Sequence, residues 1–105
     1  MSEDFPMSGD STVNLTCLRF RIEGRVQAVG YRNFVIAEAR KLGLDGWVRN
    51  RADGTVEALA AGSTKSIEDF FISCSRGPSG SHVDNVQMER AEMPTEKGFR
   101  RRASI

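Results

Sequence analysis

The stretch that decides the fold is GRVQAVGYR, residues 24–32. The residues just before it, LRFRIE, alternate apolar and charged side chains with a period of two, which is typical of a half-buried β-strand. The residues after it carry an apolar stripe at helical spacing, which predicts a helix from about Tyr31 to Leu42, and Gly43 is a natural end for it. GRVQAVGYR is therefore predicted to be the loop between a strand and the start of a helix.

A loop in this place is suited to binding an anion. The first N–H groups of a helix have no partner within it, and the helix dipole favours negative charge there. Gly24 and Gly30 allow the backbone to approach a ligand closely. Arg32 lies in the first helical turn, from where its guanidinium can hold two oxygens of a phosphate or a carboxylate. The alternative is a plain turn with a solvated arginine.

Other phosphate-binding motifs do not fit this loop. A Walker loop needs a closer glycine pair followed by a lysine, and a dinucleotide-binding loop needs G-x-G-x-x-G. A cysteine phosphatase needs a thiolate at the position that Val26 occupies here. His82, the only histidine, falls in a predicted turn and has no cysteine or carboxylate at metal-ligand spacing. The loop thus offers an anion site without a nucleophile or metal ligand.

This restricts the chemistry that the loop can support. Cleavage of a stable phosphate ester needs a proton for the leaving group, and the loop has no obvious general acid. A mixed anhydride of a carboxylic acid and phosphate needs none, because a carboxylate leaves readily without a proton. For such a substrate, positioning and charge stabilisation of the phosphoryl transition state can suffice.

The segment after the first helix predicts a hairpin and a second helix. GWVRN, residues 46–50, is a short strand, RADG is a turn, and TVEALAA is the partner strand. Ser63 or Ser66 can cap the second helix, which Gly77-Pro78 ends.

The segment after the second helix predicts one further strand and a short last one. The strand over residues 83–91 is irregular at Val83, as a β-bulge would make it. A last short strand is expected around Phe99–Arg102, with its arginines on a solvated edge. The resulting order of elements is the ferredoxin-like split βαβ arrangement of the α+β class. We expect two helices on one face of an antiparallel sheet of four to five strands, with the other face open to water.

Size and charge favour a single small domain. The chain has 105 residues, of which 15 are basic and 14 acidic, and this balance argues against binding to nucleic acid or a membrane surface. We expect a flexible tail over residues 1–15 and the domain over 16–105. No apolar run approaches the ~18 residues of a membrane span. Cys17 and Cys74 are expected to be reduced thiols in a cytoplasmic protein.

Two stretches resemble the signatures of the acylphosphatase family. GRVQAVGYR resembles G-x-V-Q-G-V-x-F-R, and GWVRNRADGTVEALAAG resembles a second signature, in which G-W-V-x-N precedes G-x-V and a later glycine. The similarity extends from about Cys17 to Arg102. It implies the ferredoxin-like fold and a small hydrolase that cleaves acyl phosphates into a carboxylate and phosphate, without a metal or cofactor. It also implies inorganic phosphate as a product inhibitor, and we expect a monomer that binds neither nucleic acid nor membrane.

The resemblance also implies roles for individual residues. Arg32 matches the arginine that binds the phosphoryl group, and Asn50 matches the asparagine that orients the attacking water. An amide suits this role because its oxygen can accept a hydrogen bond from water while its NH₂ group stays anchored. The phosphate-binding residues implied are Arg32 through its guanidinium and, through their backbone N–H groups, Arg25, Val26, Gln27, Ala28, Val29 and Gly30.

Two loop residues depart from the family pattern. Tyr31 replaces a phenylalanine and adds one hydroxyl. Ala28 replaces the central glycine, and alanine is strained wherever φ is positive. We expect Gly30, two positions on, to adopt the unusual backbone angles, so that Ala28 keeps ordinary ones.

Two other functions are compatible with the same topology. One is a non-catalytic anion-binding or regulatory module, for which Ala28 is the only support. The other is an RNA-binding domain, which would need aromatic residues on its central strands to stack bases. TVEALAA has none, so this alternative is not favoured.

Overall fold

The computed structural model describes residues 14–105. The elements in chain order are β1 (Leu15–Arg25), α1 (Tyr31–Lys41), β2 (Asp45–Asn50), β3 (Val56–Ser63), α2 (Thr64–Arg76), β4 (His82–Arg90) and β5 (Phe99–Arg101). The predicted tail falls almost wholly outside the described residues, although its last residue, Leu15, begins β1. Neither helix is long and apolar enough to cross a membrane.

The strands form one sheet in the order β4-β1-β3-β2-β5. β1 pairs antiparallel with β3 and β4, and β2 pairs antiparallel with β3. Each helix connects two strands that are separated by a third, which is the ferredoxin-like split βαβ arrangement. The predicted α+β fold is therefore confirmed. The sheet is mixed rather than antiparallel throughout, because β5 runs parallel to β2.

The main core lies between the two helices and one face of the sheet. It draws on alternate strand positions and on the apolar stripes of both helices: Phe20, Ile22, Val35, Ala39, Val48, Val56, Ala58, Ala60, Ile67, Phe70, Cys74 and Phe99. Phe70 is fully buried, with its ring edge-on to Phe20 at 5.2 Å and tilted against Phe99 at 5.9 Å. Aromatic pairs in these geometries add attraction beyond the burial of their area. β5 is therefore anchored to the core through its first residue.

The opposite face of the sheet is partly covered, so the prediction that it is open to water was wrong at one end. Three buried residues pack there against two half-buried ones: Cys17, Leu59 and Ala61 against Trp47 and Ala91. The residue that follows β4, Ala91, lies over this end of the sheet, where its N–H donates to the Cys17 carbonyl at 3.1 Å. The Trp47 ring lies between the guanidinium groups of Arg49 and Arg102, each 4.8 Å from its centroid, an attractive cation–π geometry.

A β-bulge lies opposite the start of the loop, as predicted. Gly24 of β1 pairs with Val83, and the register skips Asp84, which is the extra residue of the bulge. Gly24 has φ 130°, and a Cβ on it would lie 2.1 Å from the His82 carbonyl oxygen. Gly24 therefore permits the close approach of two strands.

Tyr31 connects the two helices. Its side chain is buried, and its hydroxyl donates to the Cys74 carbonyl at 2.7 Å. Within a helix this carbonyl would accept from the N–H of residue 78, but Pro78 has none. Burial, together with the neighbouring Cys74, raises the pKa of the Tyr31 hydroxyl well above its ordinary value. The hydroxyl therefore stays protonated and satisfies a carbonyl at the end of α2.

We expect Tyr31→Phe to lower the free energy of unfolding by about 1–2 kcal/mol, because the Cys74 carbonyl is left buried without a donor. Urea unfolding followed by the fluorescence of Trp47, the only tryptophan, measures the change. Ser75→Ala, which removes an exposed hydroxyl from the same helix, is the control and should have little effect. Equal stability of Tyr31→Phe and wild type would show that this hydrogen bond contributes nothing.

Candidate active site

The start of α1 presents backbone donors without helical partners. Gly30 is the N-cap residue, with φ 75° and no side-chain cap. The first hydrogen bond of the helix joins the Phe34 N–H to the Gly30 carbonyl at 3.0 Å. The N–H groups of residues 31–33 consequently have no acceptor within the helix. These donors and the positive end of the helix dipole favour an anion at this point.

A cavity of about 200 Å³ lies at this end of α1. Its lining comes from the loop, the first turn of α1 and β5: Val26, Ala28, Gly30, Tyr31, Arg32, Asn33 and Arg101. Four of the residues that the resemblance implies for phosphate binding are therefore together here: Val26, Ala28, Gly30 and Arg32. Residues of the loop and Arg32 thus line one cavity.

The side chains of the other three implied phosphate-binding residues lie outside this cavity. Arg25 is exposed at the end of β1, where it pairs in register with His82. Val29 packs against the main core. Gln27 is directed towards the β2–β3 hairpin. For these three residues, any contact with an anion at the cavity would have to come from the backbone, and this stays a prediction.

Two arginines meet at the cavity. Burial and the nearby positive charge of Arg101 lower the pKa of Arg32, although a guanidinium remains protonated at physiological pH. Within residues 14–105, no carboxylate lies at salt-bridge distance from either arginine. The cavity therefore carries a local excess of positive charge.

Arg101 is a site residue that the sequence reasoning missed, because it assigned the arginines of FRRR to a solvated edge. Side chains alternate along a strand, so Phe99 and Arg101 share one face of β5. Phe99 enters the core on that face, and Arg101 follows it to the mouth of the cavity, where its Nη2 donates to Asn33 Oδ1. The alternation of side chains along β5 could have indicated the position of Arg101, once Phe99 had been placed in the core.

Gln27 ties the loop to the β2–β3 hairpin. Its Nε2 donates to the Arg51 carbonyl at 2.9 Å and to the Thr55 carbonyl at 2.8 Å. Arg51 and Thr55 flank the hairpin turn and are themselves joined, Arg51 N–H to Thr55 carbonyl, at 2.9 Å. This side chain therefore fixes the distance between the anion loop and the end of β2.

Asn50 is the last residue of β2, immediately before that turn. It does not line the cavity. Its Oδ1 is buried and has no hydrogen-bond partner among the residues that the structure describes, whereas its backbone carbonyl accepts from the Ile105 N–H at 3.1 Å. Buried side-chain acceptors are usually paired. Asn50 Oδ1 is thus available to accept a hydrogen bond from a small molecule that reaches it.

Glu57 of β3 fixes the residues on both sides of Asn50. Its Oε1 accepts from Arg49 Nε at 2.8 Å and from Arg51 Nη1 at 3.0 Å. Burial by itself would raise the pKa of Glu57, but the hydrogen bonds from the two arginines outweigh it and hold the pKa below its usual value. The carboxylate therefore stays ionised and restrains the end of β2.

Ala28 does not keep ordinary backbone angles, so the prediction that Gly30 would replace it in this respect was wrong. Its φ is 63°, the only positive value at a non-glycine residue in the described part of the chain. Gly30 has a positive φ as well, but uses it to start α1. The two positions meet separate geometric requirements, and alanine in the left-handed region is strained by about 1–2 kcal/mol.

His82, opposite the end of β1, has one acidic neighbour. His82 lies on an exposed strand with its Nε2 3.1 Å from Asp84 Oδ1, a neighbour that the sequence reasoning missed. Over residues 14–105, no three His, Cys, Asp or Glu side chains are placed to hold a metal ion together. The groups around the cavity are thus guanidinium, amide and backbone N–H donors.

The chain is similar to known proteins over nearly its whole described length. The profile of the acylphosphatase family matches residues 18–101. The acylphosphatase of Acidiphilium cryptum strain JF-5 is 48% identical over 83 residues, which are 79% of this chain and 91% of that protein. The acylphosphatase of Rhizorhabdus wittichii strain RW1 is 39% identical over 94% of this chain and 100% of its own length. The structure of an acylphosphatase from Coxiella burnetii superposes with a TM-score of 0.80 at 36% identity, covering 85% of this chain and 94% of that one.

We expect Ala28→Gly to raise the free energy of unfolding by up to about 1.5 kcal/mol, because relief of the left-handed strain exceeds the added flexibility of the unfolded chain. Thermal unfolding measures the change. Ala37→Gly on the exposed side of α1 is the matched control and should lose about 1 kcal/mol. A loss of stability in Ala28→Gly would show that Ala28 is not strained.

Proposed function

The chain belongs to the acylphosphatase family, and from this we propose that it hydrolyses the carboxyl–phosphate anhydride bond of acyl phosphates at the cavity beside α1. The observation that carries the proposal is the position of Arg32 next to the N–H groups at the start of that helix, which have no acceptor within it. These are the donors that a phosphoryl group requires. The support for an acyl phosphate in particular is the family itself, together with a site that offers no thiolate nucleophile.

In the proposed complex, the phosphoryl group lies in the cavity and accepts hydrogen bonds from backbone N–H groups and from the guanidinium group of Arg32. Charge spreads over the phosphoryl oxygens as the bond to the leaving group stretches, and donors fixed in advance stabilise it. Gly30 suits this arrangement because its positive φ turns the loop directly into α1.

Asn50 is proposed to position the attacking water. Its support is the buried Oδ1 without a partner in the described structure, together with the tether from Gln27, which links the loop to the residue after Asn50. The water oxygen forms a bond to phosphorus while the bond from phosphorus to the acyl oxygen breaks. The electron pair of that bond leaves with the carboxylate, and both protons of the water remain on the product, which is dihydrogen phosphate. No proton is needed by the leaving group.

The non-catalytic alternative rested on Ala28. Since Ala28 adopts a positive φ, the loop follows the backbone course that a glycine permits. This supports the retention of activity.

A cytoplasmic location and a monomeric state belong to the same proposal. The support for the cytoplasm is that Cys17 and Cys74 are both free and buried, as in proteins of a reducing compartment. The near balance of 15 basic and 14 acidic residues supports a small-molecule substrate over nucleic acid or a membrane.

We expect the protein to hydrolyse benzoyl phosphate, with inorganic phosphate as a competitive inhibitor because both occupy the same cavity. Addition of EDTA should not change the rate, since the proposed step uses only protein groups. Carboxylate release at several phosphate concentrations measures this. Phosphate binding without hydrolysis would instead support the anion-binding module, and activity lost on chelation and restored by a divalent cation would contradict the proposed step.

Arg32 and Asn50 should separate binding from turnover. We expect Arg32→Met to lose both phosphate affinity and kcat, because one guanidinium serves the bound state and the transition state. Asn50→Ala should lose kcat by ~10²-fold or more with phosphate affinity little changed, since only the water is misplaced.

The measurements are kcat and the inhibition constant of inorganic phosphate, with Arg76→Met and Asn85→Ala as exposed controls that should change neither. The same loss of phosphate affinity in both site variants would contradict the division of roles.

A further inference from the structure

Arg101 and Arg32 bring two positive charges to one small cavity from different elements of the fold. Both line the cavity, and the pKa of Arg32 is lowered first by burial and then by the positive charge of Arg101. Neighbouring like charges repel each other, and in the described part of the chain no carboxylate is close enough to neutralise either one. An anion bound in the cavity would offset this excess of positive charge.

We propose that Arg101 is a second substrate-binding guanidinium, which with Arg32 holds the dianionic phosphoryl group. The inference rests on the proposed function, since it assigns a further contact within the same site. One arginine balances one of the two negative charges, and the second arginine balances the other. A bidentate arginine also engages two oxygens, so Arg32 leaves a phosphoryl oxygen free for Arg101.

The position of Arg101 is set by the fold and does not depend on a flexible chain end. β5 is fixed to the core by Phe99, whose carbonyl also accepts from Arg40 of α1, at 3.1 Å to Nε and 2.9 Å to Nη2. The strand is hydrogen-bonded to β2, with Arg101 opposite Val48. These contacts hold Arg101 at a constant distance from α1, the helix that carries Arg32.

Asn33 orients the side chain itself. Its Oδ1 accepts from Arg101 Nη2, and the other guanidinium N–H groups remain available to an anion. The neighbouring arginine serves a different purpose, since Arg102 stacks on Trp47 on the opposite face of the sheet. Of these two arginines, only Arg101 lines the cavity.

The test compares Arg101→Met with Arg100→Met, which removes the same charge from the adjacent residue that does not line the cavity. Three quantities are measured. Calorimetry gives the affinity for inorganic phosphate, hydrolysis of benzoyl phosphate gives kcat and KM, and thermal unfolding without phosphate gives the stability. Arg101→Met should weaken phosphate binding by ~10- to 100-fold, as expected for the loss of a charged hydrogen bond. Arg100→Met should leave it unchanged within about two-fold.

Stability separates a binding role from a structural one. Arg101→Met should melt at the same temperature as wild type or higher, because removing Arg101 relieves its repulsion of Arg32. A lower melting temperature with unchanged phosphate affinity would overturn the inference, as would equal affinities of Arg101→Met and Arg100→Met. Arg101→Lys keeps the charge without the fork and should bind phosphate with intermediate affinity; affinity no better than that of the Met variant would contradict a role for the charge.

Calorimetry distinguishes the two proposals. Wild-type protein that binds phosphate but does not hydrolyse benzoyl phosphate would overturn the proposed function, and the variants would still test Arg101. Wild-type protein that binds no phosphate would overturn both.

Discussion

The arrangement of the site depends on one constraint: the N–H groups of residues 31–33 at the start of α1 have no acceptor within the helix. Most helices satisfy such groups with a side-chain cap, but Gly30 has no side chain to contribute. The loop instead passes in front of the helix end and leaves a cavity there. The strained Ala28 and the two arginines, Arg32 and Arg101, line this cavity.

Features that cost free energy are concentrated at this end of the molecule. Ala28 is held in the left-handed region, Arg32 and Arg101 repel each other, and the buried Asn50 Oδ1 has no partner within residues 14–105. Strain and unpaired polar groups of this kind persist where the surrounding structure over-determines them, and they cluster at functional sites. Here they converge on one loop, one helix end and the ends of two strands.

Most polar groups around the site are hydrogen-bonded, although the buried Arg51 Nε has no hydrogen-bond partner within residues 14–105. The Tyr31 hydroxyl donates to the Cys74 carbonyl, to which Pro78 has no N–H to donate. Glu57 accepts hydrogen bonds from Arg49 and Arg51, the arginines on both sides of Asn50. Gln27 uses its amide N–H groups to hold the loop against the hairpin. These contacts give the site rigid support, which matters because misplacement by about 1 Å can cost a hundred-fold in rate.

The sequence by itself determined the elements, the α+β fold and the pairing of the loop with Arg32, because each of these follows from residues close together in the chain. Periodicity identifies strands and helices locally, and Arg32 lies in the same nine-residue stretch as the loop. Arg101 and Gln27 could not be assigned in this way, because their partners are distant in the chain. The partner of Arg101 is 68 residues away, and the two partners of Gln27 are 24 and 28 residues away. Their contacts exist only after β5 docks parallel to β2 and the hairpin turn approaches the loop. The left-handed conformation of Ala28 was likewise decided by the tertiary structure, because the fixed ends of β1 and α1 dictate the path of the loop whichever residue occupies it.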